Sequence, residues 1–328
     1  MPKLTDAALS RLQQHFNIAL PSGLGYDTLA CINAAHEGRM RVAMHLGGNL
    51  FASNPDAVFA AKALQSLDMT VFLSTTLNTG HIVGRGRESI ILPVLPRDEE
   101  HQPTTQESMF NFVRLSDGGE ARHRGPRSEV DVIADIAENI TGHANIPAVD
   151  WQALRQHDTI RRAIAAVVPG YERISNISAT GGEFHIDGRT FHQPRFNTDD
   201  GKAVFHAVAI PDTSPAKGDL RLMTIRSEGQ FNTVVYEEAD TYRNQERRDV
   251  ILMSRADMQA RHLQHNDRVS VLNATGALHN ILAREFDIPP GNAAMYYPEA
   301  NVLVPRQIDG RSRTPAFKNI AVRVELCA

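Results

Sequence analysis

The chain has 328 residues, 42% of them hydrophobic and 22% charged, with a formal net charge of -4. That length buries at least one large core and favours two domains, the balance excludes a disordered or fibrous chain, and the charge gives no field that would draw in nucleic acid or an anionic membrane. The two cysteines, Cys31 and Cys327, form no C-x-x-C pair, which excludes a disulfide framework and a cysteine-ligated zinc or iron–sulfur site.

Leu9, Leu12 and Phe16 recur at helical spacing behind Thr5-Asp6, which predicts a helix over 5–16 ending before Pro21-Ser22-Gly23. A second helix is expected over 26–36, with Gly38 suited to its carboxy-terminal cap. Residues 40–46 read as a strand and Gly47-Gly48-Asn49 as a sharp loop. Asn54-Pro55-Asp56 reads as a helix start, with Pro55 at the first position of a helix reaching Leu67. Further buried strands are expected over 69–73 and 89–95. Strand, helix, strand, strand in this order predicts a parallel sheet with a right-handed crossover, whose ligands lie beyond the carboxyl ends of the strands.

Residues 96–126 are polar and irregular and read as surface loop, followed by helices over 128–140 and 151–168, the second ended by Pro169-Gly170. From about Glu183 the pattern changes to short β-prone runs: 184–186, 203–210, 222–225, 250–253, 268–272, 278–285, 302–304 and 320–324. Their spacing by Asp-Gly, Thr-Gly and Pro-Pro-Gly turns predicts a closed or nearly closed β-barrel. The expected fold class is therefore α/β, a parallel-sheet α/β domain followed by a carboxy-terminal β-barrel, with the boundary near Pro211 to Gly218. The division is 1–150 for the α/β domain, 151–218 for a connecting helix and β segment, and 219–328 for the barrel. No apolar region follows Met1-Pro2-Lys3-Leu4-Thr5-Asp6 and no run approaches the roughly 18 apolar residues of a spanning helix, so a cytoplasmic protein with no membrane partner is expected.

Three loops carry residues suited to an anionic, heterocyclic ligand. Gly47-Gly48-Asn49 lets backbone N–H groups approach a phosphate, or is simply a tight turn; it lacks the third glycine of G-x-G-x-x-G and the P-loop lysine. Ser74-Thr75-Thr76-Leu77-Asn78-Thr79 supplies small donors and acceptors, or closes its own turn. Arg226-Ser227-Glu228-Gly229-Gln230-Phe231-Asn232 combines a cation suited to a diphosphate with amides suited to a base edge, although a solvated strand-end loop has the same composition. Tyr296-Tyr297-Pro298-Glu299-Ala300-Asn301 and Thr314-Pro315-Ala316-Phe317-Lys318 add aromatics, an amide and a cation. His262 and His265, three apart in a polar helical run, lack carboxylate or cysteine partners and read as surface residues. No G-x-S-x-G elbow, H-E-x-x-H helix or paired catalytic carboxylates occur, which disfavours a self-sufficient hydrolase.

Taken in order, three groups of segments resemble one family. The first is Val42 to Asn49 with Asn54-Pro55-Asp56. The second is Leu73 to His81 with Ile91 to Glu99, and the third is Arg226 to Asn232, Asp267-Arg268-Val269, and Tyr297 to Asn301 through Phe317-Lys318. The family is the molybdenum–pterin oxidoreductases that include DMSO reductase and the formate dehydrogenases, and the wording is most similar to the carboxy-terminal part of formate dehydrogenase-like α subunits.

The resemblance implies a cofactor of molybdenum bis-(molybdopterin guanine dinucleotide), one nucleotide cradled by the α/β layer and the other by a double-psi-like molybdopterin dinucleotide-binding barrel. Gly47, Gly48, Asn49, Ser74, Thr75, Thr76 and Asn78 would serve the first. Arg226, Gly229, Gln230, Asn232, Asn301 and Lys318 would serve the second. The family carries its iron–sulfur cysteines and molybdenum ligand upstream of where Met1 falls, and neither Cys31 nor Cys327 matches them, so no catalytic residue or metal ligand is assigned. An iron–sulfur cluster is expected only if an upstream region supplies it. The reading is the distal half of a molybdenum oxidoreductase whose partner is the upstream half or another subunit, acting on a small molecule only when assembled. The alternatives are a non-catalytic pterin-dinucleotide-binding module, an inactive remnant, and a stand-alone nucleotide-binding enzyme using the Gly47-Gly48 loop.

Overall fold

A computed structural model describes residues 6–21, 23, 25–109, 111–144, 149–186, 194, 196, 198–209, 216–310 and 312–327. The first elements are α1 (Asp6–Phe16), α2 (Thr28–His36), β1 (Val42–Leu46), α3 (Leu50–Ser53), α4 (Ala57–Gln65), β2 (Met69–Ser74) and β3 (Glu88–Pro93). There follow β4 (Thr104–Glu107), β5 (Phe112–Ser116), α5 (Glu129–Ala144), α6 (His157–Val167), α7 (Ile177–Thr180) and β6 (Phe184–His185). The last are β7 (Leu220–Ile225), β8 (Val250–Met253), α8 (Arg255–Ala260), β9 (Arg268–Leu272), β10 (Ala277–Glu285), β11 (Asn292–Tyr296) and β12 (Ile320–Leu326). Contacts gather the described parts into two units, one from 1–25 with 92–209 and the other from 26–91 with 210–328. Among the described residues no helix is long and apolar enough to cross a membrane.

The second unit holds the parallel α/β layer and the barrel. β1 runs parallel to β2, with Val42 beside Met69 and Leu46 beside Leu73, and the strand order is β1-β2-β3. Helices α2 and α4 cover one face through Ile32, Ala35, Ala60, Ala63 and Leu64, against which Ala43 of β1 packs. Asp27 starts α2 by accepting from the Ala30 N–H at 2.9 Å, and the Ser66 hydroxyl ties the end of α4 to the Ala35 carbonyl at 2.8 Å.

Six strands close into a barrel in the order β10-β8-β11-β7-β12-β9. Alternate residues fill it: Leu220 and Leu222, Val269 and Val271, Val322 and Val324. All four residues of β8 are buried because Ile251 and Met253 point into the barrel, while Val250 and Leu252 pack outward with Leu282 and Tyr296. The barrel and the α/β layer are joined by the Asp56 N–H on the Val304 carbonyl at 2.9 Å and by the Asn301 amide on the Ala52 carbonyl at 2.7 Å.

The first unit contains an antiparallel sheet ordered β4-β5-β6, with α7 and α6 packed around Val113, Ile174, Ile177, Phe184 and Ile186.

The parallel layer followed by a closed barrel agrees with the sequence, but several elements differ. Asp56, not Pro55, starts α4: at φ 46 its carboxylate accepts from the Phe59 N–H at 3.1 Å, a bond no proline side chain can make. The stretch 96–126 contains β4 and β5, whose polar residues conceal a hairpin paired from Thr104–Ser116 to Glu107–Val113. β6 joins that sheet rather than the barrel. The run 203–209 forms no strand, because its apolar side chains find no neighbouring strand: Phe205 is 97% exposed and Val208 82%. Residues 302 and 303 end a 3-10 turn, Glu299–Leu303, that turns Ala300, Asn301 and Leu303 inward, and Val304 is the extended residue that follows it. His262 lies past the end of α8 at φ 55, outside any helix. β11 and α8 have no counterpart in the sequence reading, since Asn292-Ala293-Ala294 has weak β propensity and α8 is only 6 residues long. The expected helix start at Thr5, residue 210 of the expected strand and residues 211–215 of the expected boundary lie outside the described residues.

Candidate cofactor-binding site

At the carboxyl end of β1 the chain turns through Gly47 and Gly48 at φ 62 and 70, a left-handed pair that only glycine adopts freely. The Gly47 N–H donates to the Leu73 carbonyl at 2.8 Å, so the loop is held to the end of β2. Asn49 is buried; its side-chain carbonyl caps α3 by accepting from the Ala52 N–H at 3.0 Å, while its amide donates to Thr79 Oγ1 at 2.9 Å and to the Thr233 carbonyl at 3.2 Å. Asn49 thereby joins the α/β loop to the barrel loop that follows β7.

The loop after β2 is organised by Asn78 and His81. Asn78 donates to the Gly48 carbonyl at 3.0 Å and accepts from the Gly80 N–H at 2.9 Å. His81 Nδ1 lies 3.1 Å from the Asn78 N–H and 3.3 Å from its carbonyl, and His81 Nε2 lies 3.0 Å from Ser74 Oγ. Ser74 is thereby tied to the loop that follows it through the His81 ring. Thr75 and Thr76 lie exposed beside them.

The barrel contributes a cavity of about 250 Å³ lined by Ser53, Thr224, Arg226, Tyr297, Phe317 and Lys318. Arg226 donates to Asn232 Oδ1 at 3.1 Å and lies 5.7 Å from the centre of the Tyr297 ring, which meets Phe317 edge to face. The Lys318 ammonium donates to the Thr224 carbonyl, and its burial, with Arg226 nearby, pushes the amine below its usual value. Neither cation has a carboxylate partner among the described residues. Two such cations on one wall, with an aromatic pair beside them, suit an anion attached to a flat ring.

The loop carrying Arg226 is set from below by Arg248, whose side chain is 2% exposed. Its guanidinium pairs with Glu299 at 2.7 Å and donates to Ser227 Oγ at 2.8 Å, the Tyr297 carbonyl at 2.6 Å and Gln230 Oε1 at 3.3 Å. Gln230 donates in turn to the Asn232 and Tyr297 carbonyls, each at 2.7 Å. Beneath it Tyr296 donates to Asp240 Oδ2 at 2.7 Å, and Arg243 pairs with the same carboxylate.

The sequence-derived residues thus separate by place. Arg226 and Lys318 line the cavity, and Gly229 (φ 67), Gln230 and Asn232 (φ 50) shape the loop that aims Arg226. Asn301 is wholly buried on Ala52, with its carbonyl oxygen lacking a partner among the described residues. Gly47, Gly48, Asn49, Ser74 and Asn78 form one connected group at the ends of β1 and β2. Ser53, Thr224, Arg248, Asp240 and Thr233 were not singled out from sequence. Arg248 is masked by its neighbours in the Arg247-Arg248-Asp249 charge run, and the others are isolated polar residues with no motif around them.

Residues 220–321 match the molydopterin dinucleotide binding domain. The chain is 35% identical to an uncharacterized oxidoreductase of Mycobacterium tuberculosis over 98% of its own length and 44% of that protein. It is 29% identical to protein YdeP of Escherichia coli, covering 97% of this chain and 44% of that one. It therefore spans less than half the length of these relatives. Acetylene hydratase from Pelobacter acetylenicus shares the fold, with a TM-score of 0.64 at 14% identity over 98% of this chain and 50% of that one.

Proposed function

We propose that this chain, whose carboxy-terminal barrel is a molydopterin dinucleotide binding domain, is the cofactor-holding part of a molybdenum oxidoreductase of the formate dehydrogenase-like branch. The observation that carries the reading is the cavity bearing Arg226 and Lys318, two cations without carboxylate partners among the described residues, inside that domain. An anion bound there would offset the penalty that burial places on the Lys318 ammonium.

In this reading the cofactor is molybdenum bis-(molybdopterin guanine dinucleotide). Arg226 and Lys318 hold one diphosphate, with Gly229, Gln230, Asn232 and Asn301 fixing the wall around them. Gly47 and Gly48 let the backbone approach the second nucleotide, Asn49 holds that loop through its bonds to Thr79, Thr233 and Ala52, and Ser74, Thr75, Thr76 and Asn78 offer hydroxyl and amide groups to it. When bound, the metal–pterin group supplies a two-electron redox centre. The residues of this chain bind and orient it; the metal ligand and the electron path come from an upstream polypeptide or partner subunit in the cytoplasm.

The test is cofactor release from the protein as purified from cells that make it. Denaturation should liberate molybdenum, an oxidisable fluorescent pterin and guanosine monophosphate, read by metal analysis, fluorescence and chromatography. Arg226→Ala and Lys318→Ala should each lower retained nucleotide on the order of tenfold, the worth of one charge-assisted hydrogen bond. A cytidine nucleotide in place of the guanine one overturns the guanine assignment. Pterin dinucleotide with no redox turnover in the assembled protein favours a non-catalytic binding module, and no pterin at all overturns the reading.

A further inference from the structure

A second polar cavity, of about 620 Å³, lies on the barrel between residues 239–246 and the end of β10, and shares no lining residue with the one that holds Arg226 and Lys318. Arg243, Gln245, Glu246, His265 and Arg284 are in its walls. Arg243 is already engaged, by Asp240 Oδ2 at 2.7 Å and the Arg226 carbonyl at 3.0 Å. Arg284 is not. Its Nη1 meets His265 Nε2 at 3.2 Å and its Nη2 pairs with Glu246, but the buried Nε has no acceptor among the described residues. Nε and Nη2 form the side-on edge of a guanidinium, whose two parallel N–H groups match the two oxygens of one carboxylate. Arg248 makes the full match in the same barrel, with Nε on Glu299 Oε1 at 2.7 Å and Nη2 on Oε2 at 3.1 Å. Glu246 fills only half of the corresponding edge of Arg284. Its side chain is 63% exposed against 12% for Arg284, so it can leave for water while the arginine stays.

Gln245 adds the complementary group. Two backbone bonds between Asp240 and Gln245, at 2.7 and 3.1 Å, hold this turn, and Gln245 is 9% exposed. Its Nε2 donates to the Arg243 carbonyl at 2.9 Å, which fixes the amide and leaves Oε1 buried without a donor among the described residues. The cleft therefore carries one unused guanidinium donor and one unused amide acceptor. With two arginines in the wall, a neutral hydroxyl suits that acceptor better than an ammonium group does.

We propose that this cleft binds a small hydroxycarboxylate, with its carboxylate on Nε and Nη2 of Arg284 in place of Glu246 and its hydroxyl donating to Gln245 Oε1. Glu246 is then the internal competitor that holds the edge while the cleft is empty. The site stands apart from the cofactor cavity and does not depend on the cofactor reading.

Titration calorimetry of glycolate into the protein as purified tests this. Glycolate should bind more tightly than propionate, which has a methyl group where glycolate has its hydroxyl. Glu246→Gln removes the competitor and should tighten glycolate about threefold, the scale of an exposed ion pair. Arg284→Lys keeps the charge but loses the edge, and should weaken glycolate on the order of tenfold. Gln245→Met should bring glycolate down to the affinity of propionate. No glycolate binding, equal binding of glycolate and propionate, or an affinity unmoved by Glu246→Gln overturns the proposal. Tighter binding of glycine than of glycolate overturns the hydroxyl. Because Glu246 is exposed, the result of its variant stands even where Gln245→Met fails to fold.

Discussion

Arg248 and Asp240 do different work beneath the same loop. Arg248 offers a planar fork to Glu299, Ser227, Gln230 and the Tyr297 carbonyl at once, a set of directions no ammonium reproduces. Arg248→Lys keeps the charge and loses the fork, so it should lower unfolding free energy on the order of 3 kcal/mol, read as a lower urea midpoint at unchanged slope. Burial alone would push the Asp240 carboxyl up, but Arg243, the Tyr296 hydroxyl and the Glu228 N–H outweigh it and hold the group below the ordinary carboxylate range. The same burial, with the Asp240 carboxylate, pushes the Tyr296 phenol up. A carboxyl held below its unfolded value adds stability above that value and loses it as pH falls through the folded one. Asp240→Asn should therefore flatten the loss of stability below about pH 4 in urea titrations taken at several pH values. A wild-type slope retained in the variant would contradict this.

At the level of elements, the turn Thr79–His81 and the helix α5 respond oppositely to the same substitution. A Cβ on Gly80 would stand 2.7 Å from Asn49 Oδ1 and 3.0 Å from Asn78 Oδ1, the two atoms that cap α3 and the turn. Gly80→Ala should cost about 1–3 kcal/mol, seen as a lower melting temperature. Gly142 lies within α5, and a methyl group added there would meet nothing within 4 Å, so Gly142→Ala should raise stability by about 0.5–1 kcal/mol in the same assay. The elements most legible in sequence were short runs dominated by β-branched and aliphatic residues. β8 and β9 fall at 250–253 and 268–272 as expected, because Val250 to Met253 and Val269 to Leu272 leave the chain few alternatives. β11 was hidden because its burial comes from the strands on either side, β7 and β8, not from its own side chains.

For the whole molecule, the run 203–209 is the clearest consequence of pattern without partner. It has the composition of a strand, yet no helix or strand includes it and Phe205 is 97% exposed. Chymotrypsin should cut the native protein first after Phe205, resolved by timed digestion and mass spectrometry; a first cut after Phe231 or Tyr242 instead would count against it.

The sequence by itself determined the parallel layer, the barrel and the loops that carry polar residues at strand ends, because strand runs, helical spacing and turns are local properties of the chain. Only the tertiary structure decided which of those polar residues face the cavity. Asn49 meets Thr233 across 184 positions and Asn301 meets Ala52 across 249, while Arg226 and Lys318 share one wall. Whether a buried amide faces a ligand or a distant backbone carbonyl depends on partners far along the chain, and no local pattern carries that information.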